Sequence, residues 1–78
     1  MMLEVKLPYL GETGEIRVVS VLKTPGDIVE AGEPLIEVEA EKTVYVIEAP
    51  RRGVIEKILV SEGQKVQPGD ILAMIKQG

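Results

Sequence analysis

The chain has no cysteine, histidine, tryptophan or phenylalanine, and two tyrosines are its only aromatic residues. Without cysteine, neither a disulfide framework nor thiolate metal ligation is available, and without histidine the commonest metal ligand and general base is missing. Metal-dependent and histidine-based catalysis are therefore disfavoured. The core of a 78-residue chain of this composition has to be built from Val, Ile, Leu and Met. That suffices for one domain, residues 1–78, but leaves no room for a deep catalytic cleft. No apolar run approaches the roughly 20 residues of a membrane-spanning helix, and the opening Met-Met-Leu-Glu-Val-Lys lacks the layout of a signal peptide. At a net charge of −4, with Lys and Arg placed singly apart from Arg51-Arg52, the chain offers no basic patch to a phosphate backbone. Neither nucleic acid nor membrane is expected as a partner.

What is present points to an all-β fold. Apolar runs rich in β-branched residues span Glu4 to Leu7, Glu15 to Leu22, Leu35 to Glu41, Val44 to Glu48, Val54 to Val60 and Ile71 to Ile75. Short pieces at Ile28-Val29 and Lys65-Val66 add two more candidate strands. The breaks carry turn chemistry, as in Pro25-Gly26-Asp27, Gly32-Glu33-Pro34 and Pro68-Gly69-Asp70, and none of the intervals is long enough for a stable helix. In Ile36, Val38 and Ala40 against Glu37, Glu39 and Glu41, strict alternation predicts one face to the core and one acidic face to water.

The chain also repeats itself. A shift of 37 positions pairs Leu22 with Leu59, Gly26 with Gly63, Val29 with Val66, Gly32 with Gly69 and Leu35 with Leu72. Val18/Ile55, Val21/Ile58 and Val38/Ile75 are similar pairs under the same shift. Neither half can bury its apolar face alone, so the expected architecture is a flattened β-barrel or sandwich of two antiparallel sheets with internal pseudo-two-fold symmetry. The shift carries position 42 to 5 and to 79, towards the two ends of the chain, and so predicts that residues 41–42 lie opposite the termini.

Residues Glu37 to Ile47 read as two strands reversing at Glu41-Lys42, with Ala40 and Thr43 continuing the inward-facing sets. Neither turn residue favours positive φ, so a type I turn held by the surrounding barrel is the expected geometry. A lysine there projects into water, although by composition it is one of nine cationic side chains on an acidic surface. Glu39 and Glu41 favour a charged ammonium, which argues against an intrinsically activated nucleophile or Schiff-base lysine.

Lys6-Leu7-Pro8 with Leu10-Gly11-Glu12, then Glu15-Ile16, Gly26-Asp27 and Glu39-Ala40-Glu41-Lys42-Thr43 follow one another along the chain, with Gly26 sixteen positions before Lys42, Glu39 three before and Gly53 eleven after. In these motifs and spacings, over nearly its whole length, the sequence resembles the lipoyl domains of the dihydrolipoyl acyltransferase components of 2-oxo acid dehydrogenase complexes, within the biotinyl/lipoyl carrier family. The resemblance implies a non-catalytic barrel-sandwich carrier domain with lipoic acid covalently attached to Lys42. It further implies that a ligase or partner reads Glu39, Glu41 and Thr43, although Glu39 fits a solvated strand face equally well; Gly26 and Gly53 read as structural turn residues, there for backbone conformation or close approach and not for contacts. The implied partners are a lipoate ligase or lipoyl transferase, a thiamine-diphosphate 2-oxo acid decarboxylase, the acyltransferase catalytic core and a dihydrolipoyl dehydrogenase, between which the lipoyl group carries acyl groups as a swinging arm. The implied compartment is the cytoplasm of a prokaryote or the mitochondrial matrix of a eukaryote.

The segment Leu10 to Glu15 is shorter than the corresponding loop of many lipoyl domains, and Tyr9 stands where an acid is common. Because that loop helps the decarboxylase choose its carrier, it bears on partner identity. With nothing after Gly78 in the sequence, either an excised domain or a free-standing carrier is expected. Two alternatives share the fold: a biotinyl carrier domain, whose lysine normally sits between methionines, and an unmodified barrel-sandwich structural or adaptor module.

Overall fold

The computed structural model describes every residue from Met1 to Gly78. The chain forms eight strands and no helix: β1 (Met2–Lys6), β2 (Ile16–Val21), β3 (Ile28–Val29), β4 (Pro34–Ala40), β5 (Thr43–Glu48), β6 (Gly53–Ile58), β7 (Lys65–Val66) and β8 (Ile71–Lys76). They make two four-stranded sheets, ordered β1-β8-β6-β3 and β5-β4-β2-β7. Every pairing is antiparallel. This is the expected two-sheet sandwich. All 17 buried residues are apolar, among them Val29, Leu35, Ile36, Val38, Leu72 and Ile75 at 0% exposure. Burying each such side chain stabilises the fold by about 1.5–3 kcal/mol, so a core without a single large aromatic still holds the sheets together.

The repeat is visible in the backbone. Leu22 N–H donates to the Leu35 carbonyl at 2.8 Å, and Leu59 N–H donates to Leu72 at 2.9 Å. Gly26 donates to Ile55, extending the pairing of β3 with β6, and Gly63 donates to Val18, extending that of β7 with β2, both at 2.8 Å. Breaks in register also recur, between Val18 and Ser20 and between Ile55 and Lys57. Bulges there and at Leu35 and Leu72 bend the strands around the core and interrupt strict alternation, which is why Leu35 and Ile36 are both buried.

One part of the expected mapping needs correction. The outer strands β1 and β5 are related by 42 positions, as when Leu7 N–H donates to Asp70 and Ala49 N–H to Glu33. Position 42 therefore does not correspond to Val5, which pairs with Ala73 within its sheet. Residues 41–42 correspond instead to the place where the two chain ends meet, with Gln77 N–H donating to Met1 O at 2.9 Å.

The two ends of the sandwich follow from the connections. At one end Ala40 pairs with both Thr43 and Ile16. From there β2 runs to Val21, and the chain crosses to the other sheet at Gly26, beside Ile55. Ile55 is next to Val54, the partner of Lys76 at the edge where the termini lie. The β4–β5 hairpin and the termini therefore occupy opposite ends of a body whose longest extent is 37 Å.

Candidate functional site

The hairpin tip consists of two residues. Ala40 and Thr43 are partners across β4 and β5, leaving Glu41 and Lys42 as the connection. Both have positive φ, 49° and 69°. This corrects the type I expectation. Positive φ at both central residues belongs to the type I′ turn, whose twist matches that of the flanking strands. Residue preference argued the other way, but the pairing of β4 with β5 leaves only two residues to close the loop. A non-glycine residue in the left-handed region costs roughly 1–2 kcal/mol, so the turn is held by the sheet behind it and not by its own sequence.

Lys42 is exposed and enters none of the ion pairs or side-chain hydrogen bonds of the structure. The carboxylates of Glu39 and Glu41, expected to support its charge, make no ion pair with it. Thr43 also differs from expectation. It lies on the side of β5 that carries the partly buried Tyr45 and the buried Ile47, yet it is exposed because the core ends before the tip.

On the outer face of the hairpin sheet, Val44, Glu39, Arg17 and Lys65 stand in one row. Arg17 is the cross-strand partner of Glu39, but its Nε donates to Glu15 at 2.5 Å and its Nη1 donates to the Gly63 carbonyl at 2.9 Å. Arg17, with help from Lys65, holds the Glu15 carboxyl below its ordinary pKa. Glu39 is left without an ionic partner. In the next row, Glu37 accepts a hydrogen bond of 2.6 Å from Ser20 Oγ. The Arg17–Glu15–Lys65 cluster was not identified from sequence, although Glu15 and Arg17 lie two apart, the spacing that puts neighbours on one strand face. Glu41 leans towards the β1–β2 loop, its Oε1 lying 3.6 Å from where a Cβ of Gly14 would be.

Gly26 lies in the turn that leads into β3, its N–H donating to the Ile55 carbonyl, whereas Gly53, expected in a turn, is the first residue of β6 and pairs with Val29. Gly26 has φ +97° with open space around it, whereas Gly53 is pressed against β8. A Cβ on Gly53 would lie 2.8 Å from the Lys76 carbonyl and against Cγ2 of Ile75. Surface grooves elsewhere are shallow; one near the termini is lined in part by Arg52, Val54 and Lys76. No group of acidic side chains is placed to hold a metal ion.

The sequence model of the biotin/lipoyl family, described as "Biotin-requiring enzyme", matches residues 3–75. The chain belongs to the biotinyl/lipoyl domain family. Members are small carrier domains, non-catalytic in themselves, that bear a covalently attached lipoyl or biotin group. The chain is 40% identical over 78 residues to the dihydrolipoyllysine-residue succinyltransferase component of the 2-oxoglutarate dehydrogenase complex of Bacillus subtilis. That match takes in 99% of this chain but 19% of the relative. It is 34% identical over 73 residues to the acetyltransferase component of the Pseudomonas aeruginosa pyruvate dehydrogenase complex, covering 94% of this chain and 13% of that one. Among solved structures, the lipoyl domain of the Azotobacter vinelandii 2-oxoglutarate dehydrogenase complex superposes with TM-score 0.74 at 26% identity, over 95% of this chain and 98% of that one. The urea carboxylase of Kluyveromyces lactis superposes with TM-score 0.85 at 33% identity, over 97% of this chain and 6% of that one.

Proposed function

We propose that this is a lipoyl carrier domain of a 2-oxo acid dehydrogenase complex, with lipoic acid attached to Lys42. The observation that carries the reading is an exposed, unpaired lysine in a two-residue turn, at the opposite end of the sandwich from both termini. An amine placed there is open to another protein from several sides, and the sheet behind it sets where it sits. Modification needs Nζ to give up two protons to the ligase, one to free its lone pair and one as the amide forms. Its lone pair then attacks a carboxyl carbon that the ligase has activated; the amide C–N bond forms and the activating group leaves with its electron pair. Nothing around Lys42 serves as a base for that step, so the modifying enzyme supplies it.

Once bound, the group supplies a disulfide that takes up an acyl unit together with two electrons. The chain's own contribution is reach and recognition. The partners under this reading are a lipoate ligase or lipoyl transferase, a thiamine-diphosphate decarboxylase, an acyltransferase core and a dihydrolipoyl dehydrogenase, with Glu39 and Thr43 on the surface they meet and Glu41 in the turn that presents Lys42. Tethering of the domain raises the local concentration of the arm at each partner, so weak docking is enough.

The similarity to a urea carboxylase favours a second reading, a biotinyl carrier. Against it stand Glu41 and Thr43, the residues that flank Lys42 where biotinyl domains resembling this one carry methionines. The two readings separate when the unmodified chain is incubated with lipoate ligase, lipoic acid and ATP, and in parallel with biotin ligase, biotin and ATP. Intact-mass spectrometry is expected to show one lipoyl group and no biotin. Uptake of biotin alone would replace the first reading with the second.

A further inference from the structure

The chain has eight residues with positive φ. Six are glycines, at positions 11, 14, 26, 32, 63 and 69, and the other two are Glu41 and Lys42. Wherever else the backbone must turn left-handed, the sequence uses the residue that does so without strain. At the tip it does not. Lysine at 42 is explained by the proposed attachment, but Glu41 is not. Its carboxylate makes no ion pair and accepts no hydrogen bond, so nothing inside the fold requires an acid there. What a Cβ at position 41 does supply is restriction. Glycine there would widen the conformations open to the turn, and the direction of Lys42 would spread with them.

We infer that Glu41 is a positioning residue: it trades stability for a tip with a single conformation, so that the amine of Lys42 meets the modifying enzyme already aimed. The inference rests on Lys42 being the attachment point and adds a reason for its neighbour. A tip aimed only part of the time binds the ligase with an apparent affinity lowered by that fraction, while turnover of the saturated enzyme is unchanged.

The test compares wild type with Glu41→Gly, Glu41→Asn and Glu41→Asp, using purified lipoate ligase, lipoic acid and ATP with the carrier domain as varied substrate. Asparagine tolerates the left-handed region yet keeps a Cβ. Both the Gly and the Asn variants are expected to lower the unfolding equilibrium constant, by roughly fivefold or more, as relief of left-handed strain requires. The Gly variant is expected to raise KM for the domain several-fold at unchanged kcat, and its Lys42 amide to show greater fast motion by 15N relaxation. The Asn variant is expected to keep the wild-type KM. If Gly and Asn raise KM alike while Asp does not, the ligase reads the charge of Glu41 and the inference is wrong. It is equally overturned if all four proteins share one KM, or if neither Gly nor Asn stabilises the fold. Wild type that accepts no lipoyl group at all would instead remove the underlying assignment of Lys42.

Discussion

Adding one methyl group at Gly53 tests whether β6 and β8, neighbours in one sheet, approach each other as closely as described. The new Cβ would meet the Lys76 carbonyl oxygen at 2.8 Å as well as Cγ2 of Ile75, a side chain with 0% exposure. One obstacle is backbone and the other is in the core, so neither gives way cheaply. Overpacking of this kind destabilises by about 1–3 kcal/mol. In a domain of this size each 1 kcal/mol lowers the melting temperature by about 4–8 °C, so Gly53→Ala is expected to melt roughly 8–16 °C below wild type if the cost is near 2 kcal/mol. Gly26 is the control, because it has open space around it and is constrained by its φ of +97° alone. Asparagine, which tolerates left-handed backbone, should hurt less than alanine at position 26 but at least as much as alanine at position 53. Scanning calorimetry of the four variants decides it. Gly53→Ala melting within about 3 °C of wild type, or asparagine sparing position 53, would refute the close approach of β6 to β8.

Leu35 and Leu72 occupy matching bulges in the two halves, both at 0% exposure. Truncating either to alanine is expected to lose about 2–5 kcal/mol in urea denaturation, with the two losses similar; a tolerated truncation at one site alone would contradict the symmetry of the core. The acid dependence follows from Asp27 and Glu33. Hydrogen bonds from the Thr24 backbone and side chain hold the Asp27 carboxyl below its ordinary pKa, and Lys23 with the Glu30 N–H does the same for Glu33. Their stabilisation is therefore fully present above the ordinary carboxylate range, near pH 4, and is lost as pH falls through the lowered values. Glu33 holds the Lys23 amine above its ordinary pKa, so that contribution is lost only as pH rises through the raised value, in strong base. With no histidine present, the melting temperature is expected to be nearly flat from about pH 5 to 9 and to fall below about pH 4. A transition near pH 6.5 would contradict this.

Much of the fold was legible because its signals are local. Alternation in Ile36, Val38 and Ala40 marks a half-buried strand whatever its partners, and the 37-residue repeat exposes the symmetry directly. The mapping failed for β1 because nine residues join β1 to β2 whereas four join β5 to β6, and those five extra residues are the difference between a shift of 42 and one of 37. The tip was misjudged because residue preference is a weak local bias, whereas register between β4 and β5 is set by the whole buried face. Glu39 facing Arg17 reads as an ion pair in register, but an arginine can turn to a carboxylate on its own strand, and here it binds Glu15 instead. Lys42 itself stood out only through its place in a pattern, since exposure and lack of a partner are properties of the folded chain.

The claim on which the account depends is that one amine among six lysines is the acceptor. Tandem mass spectrometry of the ligase-treated protein, alongside Lys42→Arg treated identically, tests it most directly. The whole of the added lipoyl mass is expected on Lys42 in wild type, with none on the variant and the same melting temperature for both. A lipoyl group on Lys6, Lys23, Lys57, Lys65 or Lys76, or one still present on Lys42→Arg, would contradict it.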